Sequence, residues 1–321
     1  PVATYHLITR QPDHEDAQHI PDSSSGTYGG SDYLWEGTLV YDGEVYDHVR
    51  YRARGGVWRY SMGKNMWKFR FHNGHGFEAR DDYGKKYPEP WRRLNFSALI
   101  QQGNFQHRGE QGLFEGVGFR LFNLTGVESP HTNYVHFRII ESASETGADQ
   151  YSGDFQGLYL VIEQPDGRFL KTHGMEEANI YKMESGTGEG GIGGDLKYQA
   201  GPGLPSDSSD LVFFKNTYQG GTQSDAWWQT NFDLERYYAY RTIVDGIHHY
   251  DIAGGKNYFY YNNPETGLFE VHPWDLDLTF ANNMFGSGNH DFKSKVANNA
   301  AFNTDYQNRV REIIDLLFNR D

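Results

Sequence analysis

The sequence predicts an α+β protein with a strand-rich N-terminal lobe, a more helical C-terminal lobe and a cleft between them. Three observations point that way. Apolar and polar residues alternate with period two in segments between Trp35 and Ile162, whereas from Leu211 onward apolar residues recur mostly at three- and four-residue steps. Aromatic residues make up 16% of the chain beside 38 glycines, a mixture that favours strands and tight turns. With 321 residues the chain is long enough to bury a sizeable core, so it reads as one domain with lobes over residues 1–163 and 164–321.

The first 34 residues are polar and read as loop. WEGTLVY and EVYDHVRYRAR then flank Asp42-Gly43, whose tolerance of positive φ suits the type I′ turn of a hairpin. Trp67-Lys68-Phe69-Arg70-Phe71 is a third strand, with aromatics on one side and cations on the other. From Glu110 to Leu124 the spacing of Leu113, Phe114, Val117, Leu121 and Phe122 predicts an amphipathic helix closed by Gly126. Strands follow near Tyr134–Ile140 and Phe155–Ile162. Ser185–Ser209, rich in Gly, Pro and Ser, reads as a long surface loop. Leu211–Asn216 and Phe232–His248 read as helices, Asn257–Tyr261 and Leu268–His272 as a hairpin around PETG, and Tyr306–Phe318 as a last amphipathic helix.

Composition narrows the function. With no cysteine the chain has no disulfide, thiolate metal site or cysteine nucleophile. A net charge of −14 without a Lys/Arg-rich run argues against a nucleic-acid or anionic-membrane surface. No apolar run approaches the ~20 residues that span a bilayer, and no basic, apolar leader opens the sequence, so a soluble domain is expected.

The densest acidic constellation is Asp251-Ile-Ala-Gly-Gly-Lys-Asn257 followed by His272-Pro-Trp-Asp275-Leu-Asp277. Carboxylates and an amide oxygen are hard ligands that suit Mg²⁺ beside phosphate oxygens. The order Asp, Asn, Asp follows the logic of protein kinases, in which one Asp meets the substrate hydroxyl while an Asn and a later Asp hold metal. Taken singly, each Asp is equally a turn cap or a solvated carboxylate. Lys64, Lys68 and Arg70, after the Gly-bearing turn Arg54-Gly55-Gly56, supply cations for phosphates, although a strand-borne Lys is also an ordinary solvated residue. His248, His249 and Asp251 form an alternative, a transition-metal site, against the simpler reading of histidines at a helix end.

Four segments, VRYRARGGVWRYSMGKNMWKFRF, GLYLVIEQPDGRFLK with NIYKME, YDIAGGKNYFYYNNPETG and VHPWDLDLTF, resemble in order the CotH kinase family of spore-coat, secreted and surface proteins. The resemblance implies a bilobal atypical protein-kinase-like fold. It makes Asp251 the catalytic-loop aspartate, Asn257 a metal ligand, and Asp275 the main metal-binding aspartate with Asp277 as the second possibility. Lys64, its competitor Lys68, Arg54 and Glu163 are assigned to the nucleotide, and Glu115 either pairs with one of these lysines or stays solvated. The implied activity uses ATP and Mg²⁺ or Mn²⁺ to phosphorylate Ser or Thr of a secreted or surface protein outside the cell. The competing function is a non-catalytic surface module that binds protein or glycan.

Overall fold

The computed structural model describes residues 2–18, 34–54, 64–99, 111–147, 153–183, 195–200, 203–252, 255–280 and 293–318. Two compact units are present, one of residues 1–113 with 131–164 and one of residues 114–130 with 165–321.

The first unit is a closed barrel. Its strands are β1 (Ala3–Ile8), β2 (Trp35–Tyr41), β3 (Glu44–Arg54), β4 (Met66–Arg70), β5 (Arg93–Ser97), β6 (Thr132–Ile140) and β7 (Phe155–Glu163), with helix α1 (Gln11–Gln18) after β1. The order is β1-β2-β3-β4-β5-β7-β6, and β6 closes the ring by pairing parallel with β1, Ala3 opposite Val135 through Ile8 opposite Ile140. The β2–β3 turn forms as read, with Asp42 and Gly43 at φ 52° and 79°. Alternation sends Trp67 and Phe69 of β4 inward, and Phe69, Phe96, Phe137 and Tyr159, one from each of β4 to β7, are buried. Their rings meet with centroids 4.8 Å (Phe69–Phe96), 5.1 Å (Phe96–Phe137) and 5.4 Å (Phe137–Tyr159) apart. Offset and edge-to-face aromatics fill such a barrel as a packed core.

The second unit contains α2 (Gln111–Leu124, which enters it at Phe114), α3 (Gly167–Thr172), β8 (Ile180–Met183), β9 (Asp195–Tyr198), α4 (Ser209–Gln219), α5 (Asp225–Asn231), α6 (Leu234–Gly246), β10 (Tyr258–Asn262), β11 (Phe269–Pro273), a π-helical turn at Lys293–Ala297 and α7 (Ala300–Phe318). The strands form an antiparallel sheet ordered β11-β10-β8-β9. Local chemistry starts the helices: Ser224 caps α5 and Asp233 caps α6 by accepting the Arg236 N–H at 2.9 Å. Phe214 of α4 stacks on Phe269 of β11 at 4.5 Å and fixes that helix against the sheet.

The expected bilobal kinase-like fold is overturned. The strand-rich part is a ring of seven strands, not an open lobe sheet, and the more helical part carries a four-stranded sheet of its own. The physical cause of the error is β1, which was read as loop: it is short, its partner β6 lies more than a hundred residues on, and no turn signal announces a pairing of that range. Within the segment read as a long loop after Ser185, β9 forms and pairs with β8.

Candidate functional site

Helix α6 delivers the chain to the site. After Gly246 the backbone reverses through His248, a non-glycine residue at φ 53°, and the His249 N–H returns to the Val244 carbonyl at 2.9 Å. This cap leaves the His249 ring fully buried, and burial pushes its pKa down to about 3, so it is neutral. His248 and His249 therefore lie beyond the helix. Among the described residues, the groups whose metal-binding atoms converge within 4.8 Å do not include them with Asp251, so the transition-metal reading fails.

Two residues later comes Asp251, only 7% exposed. One oxygen of its carboxylate lies 2.7 Å from Lys256 Nζ, and the other accepts from Asn257 Nδ2 at 2.8 Å; the same amide also donates to the Asp251 carbonyl at 3.1 Å. Burial raises the Asp251 pKa above the usual carboxylate range, Lys256 opposes it, Asp275 adds to the rise and Asn257 offsets part of it. Ala253 and Gly254 of this loop lie outside the described residues.

Asn257 then leads into β10. Its N–H donates to the Met183 carbonyl of β8 at 3.2 Å, and its own carbonyl accepts from the Trp274 N–H at 3.2 Å, just past β11. The next residue in the chain is Asp275. Since Tyr258 of β10 faces Pro273 of β11, the sheet brings Asp251, Asn257 and Asp275 to one end of one hairpin. Asn257 and Asp275 sit at φ 65° and 57°, left-handed positions that Asn and Asp accept at lower cost than other side chains. Gly118 of α2 permits close approach to the Asp-Leu-Asp turn, because a Cβ there would come 2.9 Å from Leu276 Cδ1. Asp277, half-buried, lies two residues beyond Asp275 in that turn.

By chemistry the Asn257 amide oxygen and the Asp275 and Asp277 carboxylates are hard donors that suit a divalent cation, while among the described residues the groups whose metal-binding atoms converge within 4.8 Å do not include Asp251, Asp275 and Asp277 together. Asn257 commits its amide nitrogen to Asp251, which leaves Oδ1 as its ligating end, and Asp251 already has a counter-ion in Lys256. Asn257 Oδ1 and the Asp275 carboxylate are thus the oxygen donors that the end of the hairpin offers, with Asp277 the next carboxylate along.

The residues assigned to the nucleotide lie in the first unit. Lys64 Nζ donates to the Leu158 carbonyl at 2.6 Å and stands 3.9 Å above the Tyr159 ring; burial lowers its pKa to about 8. Lys68, on the outer barrel face, is lowered to about 7 by burial and then by Arg54, Arg93, Arg52 and Arg70. Arg54 ends β3 opposite Met66, and the Gly55-Gly56 turn lies outside the described residues. Glu163, 2% exposed at the end of β7, accepts the His131 N–H at 3.1 Å. Glu115 is 4% exposed, so its reading as a solvated residue is overturned.

Sequence reading did not single out Lys256, although it directly precedes Asn257. It also missed a second polar cluster in which Arg236 pairs with Glu128 and lies 3.1 Å from Glu270, whose carboxylate lies 3.4 Å from His272. Glu270 and His272 alternate with Phe269, Val271 and Pro273 on β11, a period-two signal with buried charge on one face.

A family model described as CotH kinase protein matches residues 52–320. The chain is also similar to the inner spore coat protein H of Bacillus subtilis (strain 168), with 24% identity over 190 residues. That alignment covers 52% of each protein, so the chain spans about half the length of this relative.

Proposed function

Because the chain belongs to the CotH kinase protein family, we propose that it transfers the γ-phosphoryl group of ATP to a Ser or Thr hydroxyl of a protein at the spore or cell surface. The observation that supports this reading is the convergence of Asp251, Lys256, Asn257 and Asp275 at one end of the β10–β11 hairpin. Asp251 accepts the hydroxyl proton as the oxygen attacks the γ-phosphorus and the bond to the β-phosphate oxygen breaks, releasing ADP. Lys256 holds one oxygen of Asp251, and the Asn257 amide holds the other, so the carboxylate is aimed before substrate arrives. Asn257 and Asp275, with Asp277 as the second carboxylate, would hold Mg²⁺ or Mn²⁺, which would supply neutralisation of the phosphate charge. Lys64, Lys68 and Arg54 are the cations assigned to the phosphates, and Glu163 is the acidic residue assigned to the nucleotide. The relative's name supports a place in the spore coat or at the surface.

A second reading, a non-catalytic surface module, is favoured by the closed barrel, which departs from the expected kinase-like architecture. Calorimetric titration of ATP with and without Mg²⁺, on the wild type and on Asp275→Ala, separates the two. Metal-dependent affinity that disappears in the variant supports phosphoryl transfer. Absence of binding in every condition overturns it, and capture of protein or glycan that survives Asp275→Ala then supports the module.

A further inference from the structure

Within the second unit, Glu128, which follows α2, and Glu270 and His272 of β11 bring their ligating atoms within 4.8 Å of one another. Each β11 ligand is oriented from its far side. Nδ1 of His272 lies 2.8 Å from the Glu128 carbonyl, which can only accept, so Nδ1 carries the proton and Nε2 is the ring's coordinating atom. Oε1 of Glu270 accepts from Asn263 Nδ2 at 2.9 Å, which leaves Oε2 facing His272 Nε2 at 3.4 Å. Metal-binding imidazoles and carboxylates are held in this way by partners behind them.

The facing atoms are not served by hydrogen bonds. His272 Nε2, Glu270 Oε2 and Glu128 Oε2 are buried without a hydrogen-bond partner, and His272 and Glu270 are only 3% and 2% exposed. Burial holds the His272 pKa below the ordinary imidazole value, so at neutral pH a lone pair on Nε2 faces the Glu270 oxygen with no proton between them. The cation at hand is Arg236, which pairs with Glu128, stands 3.1 Å from Glu270 Oε2 and 3.5 Å from Asp233 Oδ2, and donates to the Gly126 carbonyl at 3.3 Å. One guanidinium thus answers three carboxylates, and a divalent ion would balance the other two charges.

The ligand set selects the metal. Two ligands of a tetrahedral zinc ion, with bonds of about 2.1 Å, stand about 3.4 Å apart, the separation of His272 Nε2 and Glu270 Oε2. An imidazole nitrogen disfavours Mg²⁺ and Ca²⁺, which take oxygen ligands. The Glu128 and Asp233 side chains are 23% and 25% exposed, and Asp233 and Arg236 line a cleft of about 700 Å³, so an ion can reach the cluster.

We propose that Glu128, Glu270 and His272 form a Zn²⁺ site, completed by water, that fastens β11 to the segment after α2. Arg236 gives way to the ion and keeps Asp233 and Gly126. Because β11 runs into Trp274 and Asp275, the ion braces the hairpin end without belonging to it, and the site does not depend on the phosphotransferase reading.

The test titrates the full chain, stripped with a chelator, with Zn²⁺ against a chromophoric zinc indicator and follows thermal melting with and without Zn²⁺. Wild type is expected to bind a single Zn²⁺ in the presence of excess Mg²⁺ and to melt at a higher temperature when loaded. His272→Gln and Glu128→Gln should each weaken binding by about tenfold or more and remove the thermal shift. Arg236→Gln, which removes the competing cation, should strengthen binding, and Asp275→Ala should leave it unchanged. If His272→Gln does not fold, Glu128→Gln, at a partly exposed position, carries the comparison. Absence of binding tighter than ~100 μM overturns the proposal. Equal binding by wild type and Glu128→Gln also overturns it, assigning the zinc elsewhere among the chain's 14 histidines. Loss of binding in Asp275→Ala, or displacement by equimolar Mg²⁺, overturns it in favour of the hairpin end.

Discussion

The side-chain amide of Asn257 donates to both the main-chain carbonyl and the carboxylate of Asp251, at 3.1 and 2.8 Å. One residue thereby fixes its own orientation and that of the carboxylate six positions earlier. The backbone of Asn257 is itself pinned to Met183 of β8 and to Trp274.

Asp251→Asn is expected to lower phosphoryl transfer by about 10²-fold or more while leaving Mg-ATP affinity in place. The folded state raises the pKa of Asp251, so ionisation opposes folding: its contribution is best below the unfolded carboxylate pKa and is lost as pH rises. Removing the charge should therefore leave the melting temperature at neutral pH unchanged or higher. The wild-type rate should fall on the acid side through a pKa above the ordinary Asp range. Radiolabelled transfer across pH, with melting curves, checks all three; full activity in the variant refutes the role of Asp251.

Lys68 and Lys64, lowered to about 7 and about 8, should be partly neutral at pH values where other lysines are fully charged. Brief acylation followed by mass spectrometry should label Lys68 with a midpoint near neutrality and Lys64 about one pH unit higher. Labelling of both only above pH 10 would contradict the burial and repulsion described for them.

Arg236→Ala leaves Glu270, 2% exposed, with His272 and Asn263 as its remaining partners. Burial alone would raise the Glu270 pKa, but His272, Arg236 and Asn263 bring it below the usual value. Its stabilising contribution is therefore present above the unfolded carboxylate pKa and lost as pH falls. The variant should lose about 3 kcal/mol at neutral pH, and the loss should shrink on acidification; urea unfolding at several pH values reads this directly.

Phe137→Ala removes the ring shared by Phe69, Phe96 and Tyr159 at the centre of the barrel. A cost of about 3–5 kcal/mol is expected, measured by the urea midpoint of unfolding. A loss below ~1 kcal/mol would mean that the cavity collapses onto the neighbouring rings.

Local patterns were legible and distant ones were not. Asp42-Gly43, the alternation through Trp67–Phe71 and the helix before Gly126 were read correctly because each signal lies within a few residues of its consequence. Asp251, Asn257 and Asp275 could be singled out by residue type, and the sequence placed them on one hairpin. The ion pair with Lys256 was passed over because an adjacent lysine in a Gly-rich loop has no periodicity to mark it. The closed ring was missed because β1 pairs with a strand far along the chain, and the clustering of Arg236, Glu270 and His272 was missed because buried charge on a strand looks, in sequence, like an exposed face.

The parallel pairing of β1 with β6 carries one more implication. Until Ile140 has left the ribosome, β1 lacks one of its two neighbours, and the ring has two open rims of unpaired amides and carbonyls. Proteolytic loss of Ala3–Ile8 would restore that state permanently, with β2 and β6 free to template strands from other molecules. Loss of β1 is thus a route to aggregation, because it leaves two strand edges of the barrel unpaired.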